Sequence, residues 1–366
     1  MIFKNKGEWS ELYVAFKFLA EGKMDNADAN GLKTGDSLEV TKIFREDVTY
    51  VRNSKTKMVE IYKNGRMVKA FSIGIFGKMA TTLFVYLRMG RNRPEIKELL
   101  DRNPKNKQGF PIPEAEEFMQ DILMTTVSQS AAHKADIEFE INDTHTGSKN
   151  RVAYSIKSNY KGSPPTLINA SEATNFVYRL HNMTDELMEE INDINTSTKI
   201  IDRMNMISSN CDMEFVGTYR PITKQNLRMV DSLFPSIISE LLKIHYISSE
   251  SSVKKVVERL AQQDPFKYEN PYTYVYKFKK LLTACSLGLD LGKRWDGLEE
   301  ATGGMIIVQD DGDIIAFHLY DRNLYEDFLF NSVKFERGST TRHKFSTIYK
   351  VYDRYYFNLN LQIRYF

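Results

Sequence analysis

The chain has 366 residues, enough to bury a substantial core and to form more than one domain. Its 50 basic and 48 acidic residues leave a formal net charge of +2, which excludes a uniformly basic surface, so any nucleic-acid face must come from local clustering. Cys211 and Cys285 form neither a metal-ligand pattern nor a disulfide framework, the opening MIFKNKGEWSELY lacks a signal-peptide core, and no run of about 18 apolar residues occurs; a soluble cytoplasmic protein with no membrane partner is expected.

The first predicted element is a helix from about Glu8 to Glu21, ending near Gly22, with Leu12, Ala15, Phe16 and Leu19 as its apolar stripe. Glu8 and Glu11 lie three apart and share a face, where a first-turn carboxylate is ordinarily favoured by the helix dipole. Residues 23 to 75 read as sheet and turns, including strands at Val40 to Phe44 and Met58 to Tyr62 and an Asn64-Gly65 hairpin turn into Met67 to Ile73. Helical spacing returns from Pro94 to Leu100 and from Pro113 to about Val127. Around the intervening loop, Arg88, Arg91, Arg93, Arg102, Lys105 and Lys107 place six positive charges within 20 residues, either a solvated face or a phosphate-contacting edge, with Lys105 as the representative contact.

The segment from Ala135 to Phe176 is the most informative. Ala135, Ile137, Phe139 and Ile141 alternate with Asp136, Glu138 and Glu140, which predicts a strand with one acidic face. A second strand, Val152 to Ser158, sets Ser155 and Lys157 on one face and Tyr154 and Ile156 on the other. Antiparallel pairing of the two brings Asp136 and Lys157 into one neighbourhood. A carboxylate that holds Mg²⁺, with an ammonium close by, is a recurring arrangement for cleaving phosphodiesters. Beyond the strand, Thr166 to Phe176 is rich in small polar side chains, among them Asn169, Ser171, Thr174 and Asn175, which suit either turn formation or close approach to a phosphate backbone. Ser171 and Thr174 do not match the capping-box pattern.

Further helices are predicted at Thr184 to Asp193, Thr198 to Met204, Gln225 to Tyr246 with a break at Pro235, Val253 to Leu260 and Tyr272 to Cys285. Met305 to Val308, a DDGD turn and Ile314 to Leu319 form a hairpin whose acidic turn lacks EF-hand ligand spacing. Near the end, Arg337, Ser339, Thr341, Arg342, His343 and Lys344 combine guanidinium donors with hydroxyls, the chemistry used to read guanine edges and hold phosphates.

The strings ADIEF and SIK resemble the two halves of the PD-(D/E)xK nuclease motif. GEWSELY, YSIKS, PTLINAS, TNF and LNLQIRY together resemble type II restriction endonucleases of the HpaII type, and this likeness covers nearly the whole chain. It implies an α/β (α+β) fold with a central mixed sheet flanked by helices, and Mg²⁺-dependent cleavage of double-stranded DNA at a short palindrome, with CCGG as the sequence suggested. By the same resemblance Asp136 is a metal ligand and Lys157 a catalytic residue. Ser155 stands where the family's second acid is usual, so another ligand is needed: Glu11 or Glu8 from the first helix, or a strand carboxylate such as Glu140. The expected layout is an N-terminal catalytic core over 1–180, a mainly helical region over 181–300 and a β-rich recognition region over 301–366. A homodimer would suit a palindrome, and a cognate DNA methyltransferase would be the functional partner. A non-catalytic sequence-specific DNA-binding protein, or a repair or nicking nuclease, is the alternative reading.

Overall fold

The computed structural model describes residues 1–101, 109–128, 135–143, 147–160 and 164–366. Lys105 and the basic loop around it lie outside the described residues. The chain divides into two compact units, one of Met1–Pro165 with Glu299–Tyr325 and the other of Thr166–Leu298 with Glu326–Phe366. These units cut the chain differently from the three consecutive segments anticipated from sequence, because the hairpin after residue 303 pairs with strands of the N-terminal part.

In chain order the elements begin with α1 (Lys6–Glu21), β1 (Lys23–Ala27), β2 (Lys33–Arg45), β3 (Val48–Asn53), β4 (Met58–Lys63) and β5 (Arg66–Ser72). Next come α2 (Ile73–Met89), α3 (Pro94–Asp101), α4 (Pro113–Asp121), β6 (Ile137–Asp143) and β7 (Ser148–Ser158). The second unit starts with β8 (Thr166–Ile168), β9 (Asn175–His181), α5 (Asp185–Asp193), α6 (Lys199–Asn210) and β10 (Asp212–Thr218). It continues through α7 (Pro221–Val230), α8 (Phe234–Ser248), α9 (Val253–Gln263) and α10 (Tyr272–Leu287). Strands β11 (Gly304–Val308) and β12 (Ile314–His318) return to the first unit. The chain closes with α11 (Arg322–Ser332), β13 (Val333–Phe335), α12 (Thr340–His343), β14 (Tyr349–Val351), β15 (Arg354–Asn360) and β16 (Ile363–Tyr365).

The first unit is built on a nine-stranded mixed sheet in the order β1-β12-β11-β7-β6-β2-β3-β4-β5, flanked by helices as expected. Strand β1 also pairs with β2, which closes the first six strands into a ring of pairings, while β3 to β5 extend as an antiparallel meander. Asn64 and Gly65 both have positive φ, 50° and 75°, and form the anticipated hairpin turn between β4 and β5.

Helix α1 starts where Asn5 and Glu8 cap each other: Glu8 N–H donates to Asn5 Oδ1 at 3.0 Å and Asn5 N–H to Glu8 Oε2 at 2.9 Å. It stops at Gly22, whose φ of 73° is in the left-handed region and whose N–H donates to Phe18 O at 2.8 Å. Trp9, Leu12, Phe16 and Leu19 are buried, and Phe16 meets Phe76 of α2 and Phe118 of α4 edge-on at 5.8 and 5.4 Å. Burying each such side chain contributes roughly 1.5–3 kcal/mol, which fixes the helix against the sheet. No helix was anticipated over 73–89, where β-branched and aromatic residues favour strand locally; packing of α2 against α1 decides the outcome.

The second unit has a four-stranded sheet, β10-β9-β15-β14, and a three-stranded one, β13-β16-β8, together with α5 to α10. All five predicted helical segments of this unit form, and the break expected at Pro235 falls just before it, because proline is tolerated in the first turn of α8. Neither β9 nor β10 was anticipated, and β10 lies within the region read as helical. The reading of Ser171 and Thr174 is corrected too, since Ser171 N–H donates to Thr174 Oγ1 at 3.1 Å and the pair caps a short turn. Among the described residues no helix is long and apolar enough to cross a membrane.

Candidate active site

Strands β6 and β7 run antiparallel with Ile137 beside Tyr154, which places Asp136, just ahead of β6, opposite Ser155. The alternation read from sequence is present: Ala135, Ile137, Phe139 and Ile141 are buried, whereas Asp136, Glu138 and Glu140 are only half-buried. The main chain locks the position of Asp136, whose N–H donates to Tyr154 O at 2.9 Å. In return its Oδ2 accepts the Ile156 N–H at 2.6 Å and the Ser155 hydroxyl at 3.2 Å. Among the described residues Oδ1 accepts no hydrogen bond, so one oxygen is anchored and the other is available.

Lys157 follows Ser155 by two residues on the same face of β7, about 7 Å along the strand. It is half-buried, and among the described residues its ammonium makes neither an ion pair nor a hydrogen bond. β7 is held on its other side by parallel pairing with β11, Met305 beside Ser155 and Ile307 beside Lys157. Lys157 therefore stands on an interior strand, and Asp136 sits at the threshold of the neighbouring one.

The other candidate carboxylates are differently engaged. Glu8 serves the α1 cap and pairs with Lys4 Nζ at 2.7 Å. Glu140 accepts from Lys42 Nζ at 2.9 Å and Thr41 Oγ1 at 2.8 Å, and Lys42 keeps its carboxyl below the usual range although burial opposes this. Glu138 is clamped by Arg151 at 2.5 and 2.7 Å. Glu11, half-buried on α1, shares a neighbour with Asp136: the guanidinium of Arg45. Burial acts to lower the pKa of Arg45, opposed by the ionisable groups of Glu11, Tyr50, Asp136 and Glu46 in that order. Sequence reasoning missed Arg45, although a charged residue two positions after Ile43, on the apolar face of a strand, was a usable signal.

Among the described residues no three of His, Cys, Asp and Glu converge tightly enough to form a ready-made metal cage. The available donors are all oxygens, with one carboxylate oxygen of Asp136 unpartnered, and this suits a hard cation that retains several waters and takes one or two carboxylates.

In the second unit, Ser339 caps the short α12 by accepting from Arg342 N–H at 3.3 Å. The Arg342 side chain is exposed and, among the described residues, unpaired. Thr341 is exposed beside it, and Lys344 pairs with Glu172 at 2.6 Å. His343 is half-buried, and its pKa is lowered by burial and by Arg342. Asn175 is buried and supports this turn, its Nδ2 donating to His343 O at 2.8 Å while its Oδ1 accepts from Asn360 Nδ2 at 2.6 Å. Arg337 points inward, donating to His245 O at 3.3 Å and lying 5.7 Å from the Tyr246 ring. Asn169 is exposed, and its carbonyl accepts from Thr174 Oγ1 at 3.4 Å.

A family model described as HpaII restriction endonuclease matches residues 5–365. This chain belongs to the HpaII restriction endonuclease family. It is 31% identical over 369 residues to the type II restriction enzyme HpaII of Haemophilus parainfluenzae, with 99% of this chain and 98% of the relative covered. No solved structure matches the chain. The resemblance read from separated sequence strings thus extends over the full length, and restriction-type nuclease activity is the general function it supports.

Proposed function

We propose that this HpaII-family protein is a Mg²⁺-dependent type II restriction endonuclease that hydrolyses both strands of DNA at a short palindrome, with CCGG as the first sequence to test. The observation that carries this reading is the Asp136 carboxylate, at the start of β6 and anchored through Oδ2 on β7, beside the strand that carries Lys157; among the described residues neither its Oδ1 nor the Lys157 ammonium has a partner. Asp136 and Glu11 are the residues that would hold the cation. When bound, Mg²⁺ supplies Lewis-acid polarisation of the phosphoryl group and a more acidic water.

The protein's own groups do the remaining work. Lys157 orients the attacking water and offsets charge that builds on the phosphoryl oxygens in the transition state. Ser155 is uncharged and cannot replace a carboxylate ligand, but its hydroxyl holds Asp136 in one rotamer. Arg342, Thr341 and Lys344 form the proposed DNA-reading edge with His343, and Ser339 and Asn175 fix the shape of the turn that presents it. Arg on such an edge discriminates guanine, whereas Lys and Thr hold phosphate. A two-fold dimer would bring one such centre to each strand.

The test is digestion of unmethylated plasmid by the purified protein with Mg²⁺, followed by sequencing of the ends. Discrete fragments with a common terminal sequence support the reading. Binding of DNA without cleavage would instead favour a protein whose cation site was lost at Ser155.

A further inference from the structure

Three segments of the second unit converge at the end of the four-stranded sheet where β9 begins. Asn175, the first residue of β9, ties them together: its Nδ2 donates to His343 O at 2.8 Å, its Oδ1 accepts from Asn360 Nδ2 at 2.6 Å, and its O accepts from Tyr219 N–H at 2.8 Å. A methyl group on Gly338 would come within 3.1 Å of Ala170 Cβ, so the turn before α12 lies against the loop before β9. This end of the sheet therefore presents Glu172 from one loop, Tyr219 and Arg220 from just after β10, and Arg342 and Lys344 from α12 and its cap.

Glu172 is the one acidic side chain among these five, and its backbone is fixed on both sides. Ser171 O accepts from Asn360 Nδ2 at 2.8 Å, Ala173 O accepts from Thr223 Oγ1 at 2.8 Å, and Asn175 N–H donates to Glu172 O. The Glu172 carboxylate lies 2.6 Å from the Lys344 ammonium. That pair does not account for the residue, because the Lys344 side chain is 72% exposed, ion pairs of this kind contribute little, and Asn175 already holds the turn. A carboxylate on an edge that meets DNA also repels phosphate. Its chemistry suits a different target. An ionised carboxylate only accepts hydrogen bonds, and in the major groove the N4 amine of cytosine is the donor that a Glu takes, as guanine O6 and N7 are the acceptors that an Arg takes. A C·G pair offers both, and Glu172 and Arg342 stand on adjoining segments of one edge. Adenine sets its amine beside the N7 acceptor, a pattern that suits Asn or Gln instead.

We propose that Glu172 is a specificity-determining residue that reads cytosine: on DNA its carboxylate gives up the Lys344 ammonium and accepts from the N4 amine of the base. Lys344, released, turns to phosphate, so each partner exchanges one charge-assisted hydrogen bond for another. The inference rests on the reading of this edge as the DNA-contacting face of a restriction endonuclease.

The experiment is digestion of unmethylated genomic DNA in Mg²⁺ by wild type, Glu172→Ala, Glu172→Gln and Lys344→Ala, with sequencing of all the ends. Glu172→Ala should lower the preference for cytosine at one position of each half-site by about tenfold or more and leave the other positions as selective as in wild type. Glu172→Gln should shift that same position towards adenine. Lys344→Ala should cut more slowly at every site and keep the wild-type sequence. Unchanged base frequencies in the Glu172 variants, or an equal loss of selectivity at every position, would overturn the proposal. Glu172→Gln, close in shape and at a surface position, decides the matter if Glu172→Ala does not fold. Failure of the underlying reading looks different: the wild-type ends would then share no sequence, and the assignment of Glu172 would fall with it.

Discussion

The Ile156 N–H donates to Asp136 Oδ2 at 2.6 Å, so the proposed metal ligand also completes the backbone hydrogen bonding of the strand beside it. This changes what its removal should do. Sequence alone suggests that Asp136→Ala relieves repulsion on an acidic face at little cost to folding; the structure shows that it strands a buried amide, a loss of about 1–3 kcal/mol. Asp136→Asn keeps an acceptor and should unfold within about 1 kcal/mol of wild type. Both variants should lose at least about 10²-fold in cleavage. Urea unfolding and initial-rate assays on the same preparations separate the two effects.

Glu11 and Glu8 share a helix face but have different surroundings, and their variants should part company. Glu8→Gln weakens the α1 cap and the Lys4 pair, costing roughly 0.5–1 kcal/mol, with cleavage close to wild type. Glu11→Gln should keep stability near wild type and reduce cleavage at least about tenfold, the scale typical of a group that orients a metal site. The reverse ranking would move the second ligand from Glu11 to Glu8.

For recognition, Arg342→Ala and Lys344→Ala make the informative pair, each measured on cognate and scrambled duplexes. Arg342 is exposed and unpaired among the described residues, whereas Lys344 is tied to Glu172. Losing a bidentate guanine contact costs about 1–3 kcal/mol on the cognate duplex alone. Lys344→Ala should weaken both duplexes alike and flatten the salt dependence. An equal loss on both duplexes for Arg342→Ala would make it a phosphate contact.

His245 gives the second unit a defined acid sensitivity. It is 3% exposed, lies between Tyr246 and Phe335, and shares a 2.6 Å hydrogen bond through Nδ1 with Glu250 O. Burial pushes its pKa down to about 4. The unfolded chain takes up a proton near pH 6.5 and the folded one does not, so the stabilisation is complete above pH 6.5 and disappears as pH falls towards 4. Between pH 7 and 4.5, wild type should lose roughly 2–3 kcal/mol more than His245→Asn, measured by urea unfolding. Parallel pH dependences would mean that His245 takes up its proton as readily in the folded protein as in the unfolded chain.

Period and punctuation made much of the fold legible. The β6 alternation, the Asn64-Gly65 hairpin and the Gly22 stop of α1 are local signals, and each appears where the sequence places it. Strands β9 and β10 were missed because their pairing joins Phe176 to Thr218 and Leu180 to Met213, contacts that no local window contains. The same holds at the site. Asp136 and Lys157, proposed as a pair, come from one hairpin, whereas Arg45 meets the start of β6 through a β2–β6 pairing that spans nearly a hundred residues.

Cleavage of supercoiled unmethylated plasmid, followed over time in Mg²⁺ and in EDTA by wild type, Asp136→Asn and Lys157→Ala, is the most direct measurement. Wild type should yield discrete linear fragments only in Mg²⁺, and both variants should leave the plasmid intact while still binding the cognate duplex. Near-normal cutting by either variant, or wild-type cutting in EDTA, would contradict the assignment of Asp136 and Lys157 to a metal-assisted phosphodiesterase centre.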